Sequence, residues 1–165
     1  RLDRPGPGCR ADGPSGDDLA MRVFDSKQAA GVELAPLVQD LVADRSVTLL
    51  AVDPGGLPVA QAVADALGVV LHPIRLHEGP HGLVVDDLPP LAGQVVVVID
   101  DGVETGTAAH AIGAALVSAS PAHRVLAVPV CPREALATLQ LVYDEVIAIE
   151  RPLVRRSLRW HFADW

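Results

Sequence analysis

Two adjacent carboxylates and a loop of small residues carry most of the chemistry legible in this chain. Asp100 and Asp101 follow the run Val95-Val96-Val97-Val98-Ile99, and Gly102-Val103-Glu104-Thr105-Gly106-Thr107 comes next. Carboxylates accept hydrogen bonds and suit a vicinal diol or the water shell of a magnesium ion. The Thr105-Gly106-Thr107 amides and hydroxyls suit a phosphate, and the helix predicted from Ala108 to Val117 adds the partial positive charge of its N-terminus. A phosphate pocket beside a diol acceptor points to a ribose 5-phosphate. The competing reading is an ordinary strand, turn and helix with a solvated acidic turn. Strand, acidic pair, glycine loop and helix in this order count against it.

These groups need a scaffold. Val95 to Ile99 is apolar without alternation, the pattern of a strand buried on both faces of a parallel sheet. Val47 to Val52 is a second such strand, running into Asp53-Pro54-Gly55-Gly56 and a helix from Pro58 to Leu67. Glycine amides there could line a second anion, so two loops at one sheet edge could hold the two ends of one substrate. Ala30, Leu34, Leu37, Val38 and Leu41 recur at helical spacing and predict a helix over Lys27–Leu41, capped near Asp25 or Ser26. Further strands are predicted at Val69–Ile74, Arg124–Val130 and Glu145–Glu150, with helices at Ala109–Ser118 and Pro132–Leu141. Such alternation predicts an α/β domain, a parallel sheet between helices, with its site at the C-terminal edge of the strands.

Three segments fall outside that pattern. Arg75 to Pro90 is polar and turn-rich, and His72, His77 and His81 lie too openly spaced for a compact metal site. It reads as a lid over the site and, together with the aromatic tail, as a small hood. The tail Leu158–Trp165 holds both tryptophans and one of the two phenylalanines. It is either a stacking wall for a planar base, with Trp160 and Phe162 as its faces, or a hydrophobic anchor to the core or a second subunit. Residues Arg1 to Ala20 are rich in Pro, Gly and Asp and read as a disordered extension, leaving 21–165 as the domain.

Composition narrows the class. The formal net charge of -8 argues against a nucleic-acid groove or an anionic membrane surface. No apolar run approaches the roughly 20 residues of a membrane span, and no basic-then-apolar leader opens the chain. Cys9 and Cys131 fit no metal spacing, and no disulfide is expected between them. A single soluble cytoplasmic domain is the expectation for 165 residues.

The segment Val97-Val98-Ile99-Asp100-Asp101-Gly102-Val103-Glu104-Thr105-Gly106-Thr107 resembles the signature with which type I phosphoribosyltransferases bind phosphoribosyl pyrophosphate. Asp53-Pro54-Gly55-Gly56 sits where that family has its pyrophosphate loop. Within the family, the chain is similar to the bacterial group called predicted phosphoribosyltransferases. Phe24-Asp25-Ser26-Lys27-Gln28-Ala29-Ala30-Gly31 with Leu34-Ala35 resembles that group's start. Gly55-Gly56-Leu57-Pro58-Val59-Ala60 resembles its loop and helix, and Ala127-Val128-Pro129-Val130, Asp144-Glu145-Val146 and Trp160–Trp165 resemble its end.

The resemblance implies a three-layer fold with a small hood and a magnesium-dependent transfer of ribose 5-phosphate to or from a nitrogenous base. Asp100 and Asp101 would hold the ribose hydroxyls, and Gly102, Val103, Glu104, Thr105, Gly106 and Thr107 the 5-phosphate. Asp53, Pro54, Gly55, Gly56 and Arg75 would hold the pyrophosphate. Magnesium would arrive on the substrate, with Asp100 and Asp101 as its protein contacts, and carboxylates near C1 would stabilise its developing positive charge. Glu104 would act as a general base on the acceptor. A homodimer is the implied assembly. Three departures mark this chain: Pro54 stands where the loop usually has a basic residue, Ala108 replaces a hydroxyl residue, and the hood segment is short. Pro54 brings neither charge nor amide proton, and the Asp53–Pro54 bond is expected to be cis. The departures keep a second reading open, a non-catalytic regulatory protein that binds phosphoribosyl pyrophosphate or a nucleotide.

Overall fold

The computed structural model describes residues 21–86 and 88–165, and the elements below are those of the described residues. The expected extension at Arg1–Ala20 lies outside them. In chain order they are β1 (Phe24–Ser26), α1 (Lys27–Val42), β2 (Val47–Val52), α2 (Leu57–Leu67), β3 (Leu71–Gly79), β4 (Gly82–Asp86) and β5 (Val95–Ile99). There follow α3 (Thr107–Ala119), β6 (His123–Val130), α4 (Arg133–Leu139), β7 (Glu145–Glu150), a short 3-10 turn (Leu158–His161) and β8 (Phe162–Asp164).

Six strands form one sheet in the order β4-β3-β2-β5-β6-β7, parallel throughout except for the antiparallel pair β3–β4. Alternate residues of each strand feed two separate cores. Leu49, Ala51, Val95, Val97, Ile99, Val125 and Ala127 pack on α1 and α2 through Leu34, Val38, Val59 and Val63. Leu50, Val52, Val96, Val98, Leu126 and Val128 pack on the opposite layer through Ile112, Leu116, Leu139 and Tyr143. Both faces of β5 are thus covered and all five of its residues are buried, which is why its sequence shows no polar alternation. The expected three-layer α/β architecture is present.

Two features differ from expectation. Arg75–Asp86 is a hairpin rather than the expected loop: β3 continues to Gly79, turns through Pro80 and His81, and returns as β4, with Arg75 opposite Asp86. Ile74 and Leu76 face the core while Arg75 and His77 face outward. That half-buried alternation belongs to an antiparallel edge pair, and outward-facing polar residues gave the segment its loop-like composition. The tail forms its expected part of the hood, with β1, rather than the Arg75 segment, as its partner. β1 pairs in parallel with β8, Phe24 opposite Phe162 and Ser26 opposite Asp164, over a third small core of Phe24, Ala30, Val130, Leu158 and Phe162.

Candidate active site

In an open α/β sheet the crevice for a ligand opens at the C-terminal strand ends, where connections leave in opposite directions. Here that place is between β2 and β5. From β2 the chain passes through α2 to β3 and β4 on one side, and from β5 through α3 to β6 on the other. The two loops singled out above, Asp53–Gly56 and Asp100–Thr107, therefore emerge side by side.

Their contact is intimate. A Cβ on Gly56 would stand 2.6 Å from the Ile99 carbonyl oxygen and 2.8 Å from the Asp100 Cα, so only glycine lets one loop rest on the other. A Cβ on Gly55 would stand 2.9 Å from Asp101 Oδ2. The Asp53–Pro54 bond is cis, as expected. The Gly56 amide donates to the Val52 carbonyl at 2.7 Å. Gly56 thus supplies its small size rather than the ligand-facing amide expected of it, and Gly55 is the loop glycine left to donate. Arg75, on β3, donates through Nε to Asp53 Oδ2 at 2.6 Å, with its guanidinium largely exposed beside the loop.

The acidic pair sits at the floor. Asp101 is buried and ion-paired with Lys27 Nζ at 2.9 Å, and its amide donates to Asp100 Oδ1 at 2.8 Å. Burial, reinforced by the neighbouring Asp101 carboxylate, pushes the Asp100 carboxyl well above the ordinary carboxylate range. Beyond it, Gly106 caps α3 at φ 86°, a left-handed conformation that glycine adopts without cost. The Thr105 and Thr107 hydroxyls lie 3.1 Å apart on the rim. Val103 departs from its expected role: its amide donates to the Val130 carbonyl at 2.8 Å and its side chain is buried in the core. The Tyr143 hydroxyl donates to the Ala109 carbonyl at 2.7 Å, fixing the first turn of α3 from beneath. Residues Asp100–Ala109 with Leu158 line a cleft of about 210 Å³. A second cavity of about 290 Å³ lies where the same loop meets α4, lined by Thr105, Gly106, Thr107, His110, Ala135, Thr138 and Leu139.

The hood closes one side of the cleft. Glu104 Oε1 accepts from the Leu158 amide at 2.7 Å and from the Ser157 hydroxyl at 3.1 Å. Of the two proposed stacking residues, Trp160 is 61% exposed, whereas Phe162 is 4% exposed and packs against Phe24 with ring centroids 5.7 Å apart. Phe162 is therefore an anchor in the small core, not an open stacking face. The tail aromatic beside the lysine that pairs with Asp101 is Trp165, whose ring lies 4.0 Å from Lys27 Nζ. Sequence reasoning did not single out Lys27, Trp165 or Tyr143 as site residues. The one available signal was a lysine in the first turn of a helix, where a positive charge meets the positive end of the dipole.

Glycine loop, acidic pair and glycine-capped helix thus stand around one crevice of an α/β domain. Comparison with known proteins gives this class its family. The family model described as "Phosphoribosyl transferase domain" matches residues 25–147, and the chain belongs to that family. Two Mycobacterium tuberculosis proteins carrying a provisional phosphoribosyl transferase name are 25% identical over 183 residues, covering 80% of this chain. The chain spans 41% of their length. The fold is similar to that of the Thermus thermophilus protein TT1426, with a TM-score of 0.73 and 23% identity over 85% of this chain and 90% of that one. It is also similar to a purine phosphoribosyltransferase from Pyrococcus horikoshii, with a TM-score of 0.58 and 17% identity over 79% and 93%.

Proposed function

We propose that this chain is a phosphoribosyltransferase that uses phosphoribosyl pyrophosphate and magnesium to transfer ribose 5-phosphate to or from a nitrogenous base. The observation that carries the reading is the contact of the Gly55-Gly56 loop with the Asp100–Asp101 pair. It supports the reading because the loop read as pyrophosphate-binding rests against the pair read as diol acceptor, with the Thr105–Thr107 loop beside them.

The chain's own residues would act as follows. Asp100 and Asp101 accept the ribose 2- and 3-hydroxyls, and Thr105, Gly106 and Thr107 take the 5-phosphate at the start of α3. The Gly55 amide and Arg75 meet the pyrophosphate. Held at both ends, the sugar presents C1 to the acceptor, and the buried carboxylates favour the positive charge that grows there. Glu104 Oε1 is taken by Leu158 and Ser157, so Oε2 is the atom to receive the acceptor's proton.

Magnesium fits this donor set. No cluster of three or more His, Cys, Asp or Glu suitable for a metal exists among the described residues. An adjacent pair of carboxylates is the kind of protein contact magnesium uses when substrate phosphates and water fill the remaining positions. When bound, the ion would neutralise charge on the departing pyrophosphate. A homodimer in the cytoplasm accompanies this reading, and exposed Trp160 offers an apolar surface for a partner.

Calorimetric titration with phosphoribosyl pyrophosphate, with and without magnesium, tests the proposal. Magnesium-dependent binding that is lost in the Asp100→Asn, Asp101→Asn double variant supports it, and pyrophosphate release with a panel of bases then separates enzyme from sensor. Absence of binding by folded protein would overturn it. The sensor reading draws on one observation: Pro54 has no amide proton and the Gly56 amide is already engaged. Binding without release would establish that alternative.

A further inference from the structure

Loops that hold pyrophosphate do so with amides and a nearby cation. In this loop Pro54 offers neither, and the Gly56 amide is spent on Val52. Cations must come from other elements, and Arg75 on β3, paired with Asp53 on the outer side of the loop, is one. Lys27, the first residue of α1, is the one that meets the acidic pair.

Its position follows from the hood. Ser26 pairs with Asp164 across the parallel β1–β8 ladder, so the next residues on the two strands, Lys27 and Trp165, are neighbours. The Trp165 ring, itself resting on Phe162 with centroids 5.8 Å apart, lies 4.0 Å from Nζ and steers the ammonium inward. There it meets Asp101 Oδ2 at 2.9 Å, the same oxygen that lies 2.9 Å from where a side chain on Gly55 would begin. Ammonium and loop backbone flank a single oxygen atom. A lysine here opposes the α1 dipole, and α1 has no acidic residue in its first turn to offset it. Helix stability alone does not select this residue.

We propose that Lys27 is a second pyrophosphate cation of this site beside Arg75, stored on Asp101 until ligand arrives. On binding, the ammonium passes from Asp101 to a pyrophosphate oxygen, and Asp101 turns to a ribose hydroxyl. Lys27 thereby does two opposed things. It strengthens binding of a ligand with pyrophosphate at C1, and it competes with a ligand that has the same sugar and phosphate but no pyrophosphate. The site thus favours the pyrophosphate-bearing partner of the exchange. The inference rests on the phosphoribosyl pyrophosphate reading above.

The test is calorimetry with magnesium on the wild type, Lys27→Met and Lys27→Arg, using phosphoribosyl pyrophosphate, inorganic pyrophosphate and ribose 5-phosphate as probes. Lys27→Met is expected to weaken phosphoribosyl pyrophosphate and pyrophosphate at least about tenfold, a loss in keeping with one charge near 4 Å. Ribose 5-phosphate binding is expected to stay the same or tighten, and Lys27→Arg to recover most of the lost affinity. Thermal unfolding checks the fold of each variant, and Lys27→Gln replaces Lys27→Met if the latter does not fold. Unchanged pyrophosphate affinity in the neutral variant overturns the assignment, as does an equal loss for all three probes. Failure of the wild type to bind phosphoribosyl pyrophosphate overturns the parent reading, and this inference with it.

Discussion

Glu104 and Leu158 are joined across 54 positions of sequence: the Leu158 amide donates to Glu104 Oε1 at 2.7 Å, and the Ser157 hydroxyl adds a second bond to the same oxygen. Through this contact the loop assigned to the 5-phosphate also holds the start of the hood. Leu158 in turn lines the cleft, so one carboxylate ties the wall of the cleft to its floor.

Two variants separate the structural and chemical parts of Glu104. Glu104→Gln keeps an acceptor oxygen for Leu158 but no proton-accepting carboxylate. It is expected to leave ligand affinity near the wild-type value and to lower kcat by about 10²- to 10⁴-fold. Glu104→Ala leaves the Leu158 amide without its partner and is expected to cost about 1 to 3 kcal/mol of stability as well. Denaturant unfolding and amide exchange at Leu158 distinguish the two.

Gly55 and Gly56 should respond differently to alanine. At Gly56 the new methyl meets backbone of β2 and β5, which cannot yield, so Gly56→Ala is expected to destabilise by about 1 to 3 kcal/mol or more. At Gly55 it meets the Asp101 side chain, which can swing aside. Gly55→Ala is expected to leave the melting temperature nearly unchanged while abolishing magnesium-dependent binding. Paired melting and titration curves check both.

Asp100 gives a pH dependence of defined sign. Its folded-state carboxyl titrates well above the ordinary value of 3.8. The folded state therefore holds more protons than the unfolded one between that value and the raised one, and stability falls as pH rises through this window. Asp100→Asn removes the half-buried charge and keeps an oxygen for the Asp101 amide. It is expected to raise Tm at neutral pH, by roughly 3 °C per kcal/mol recovered, and to flatten the acid side of the profile. Ligand binding by the wild type should weaken on acidification through the same window. Melting curves from about pH 4 to 8 on both proteins would refute this if their slopes coincide.

Cys131 is buried, and burial pushes its thiol up to about 11. In a Cys9→Ser background it is expected to resist a disulfide thiol reagent near pH 8 until the protein unfolds, so that labelling follows global unfolding. Rapid labelling of the native protein would mean that the β6–α4 junction opens locally.

What could be read from sequence was what one stretch of chain decides by itself. Val95–Ile99 is buried on both faces by its own composition, and Asp100–Thr107 follows it without a break, so strand, acidic pair and helix start were legible together. Contacts between distant segments were not. Lys27 gains its meaning from Asp101 and Trp165, and Phe162 loses its expected stacking role to Phe24, through pairings that no local pattern encodes. β1 and β8 span three residues each, too short for a period of two to declare itself. The Gly56 amide is expected at the ligand, and Val103 joins it through the family signature, because backbone partners such as Val52 and Val130 are invisible in a list of residue types. The β3–β4 pair was misread for a different reason: one exposed face gave it the composition of a loop.

The parallel pair β1–β8 joins the first described strand to the last, so it cannot close until the chain between them has been drawn together. Its short ladder and small private core give it less to hold on to than the main sheet has. The floor is therefore expected to form before the roof, with the sheet and both loops in place while Lys27 and Trp165 are still apart. A chain arrested at that stage would pass for native by its secondary structure and still lack the ammonium beside its cleft. On the proposed function, competence to bind is then expected to come last in folding and to go first on mild heating.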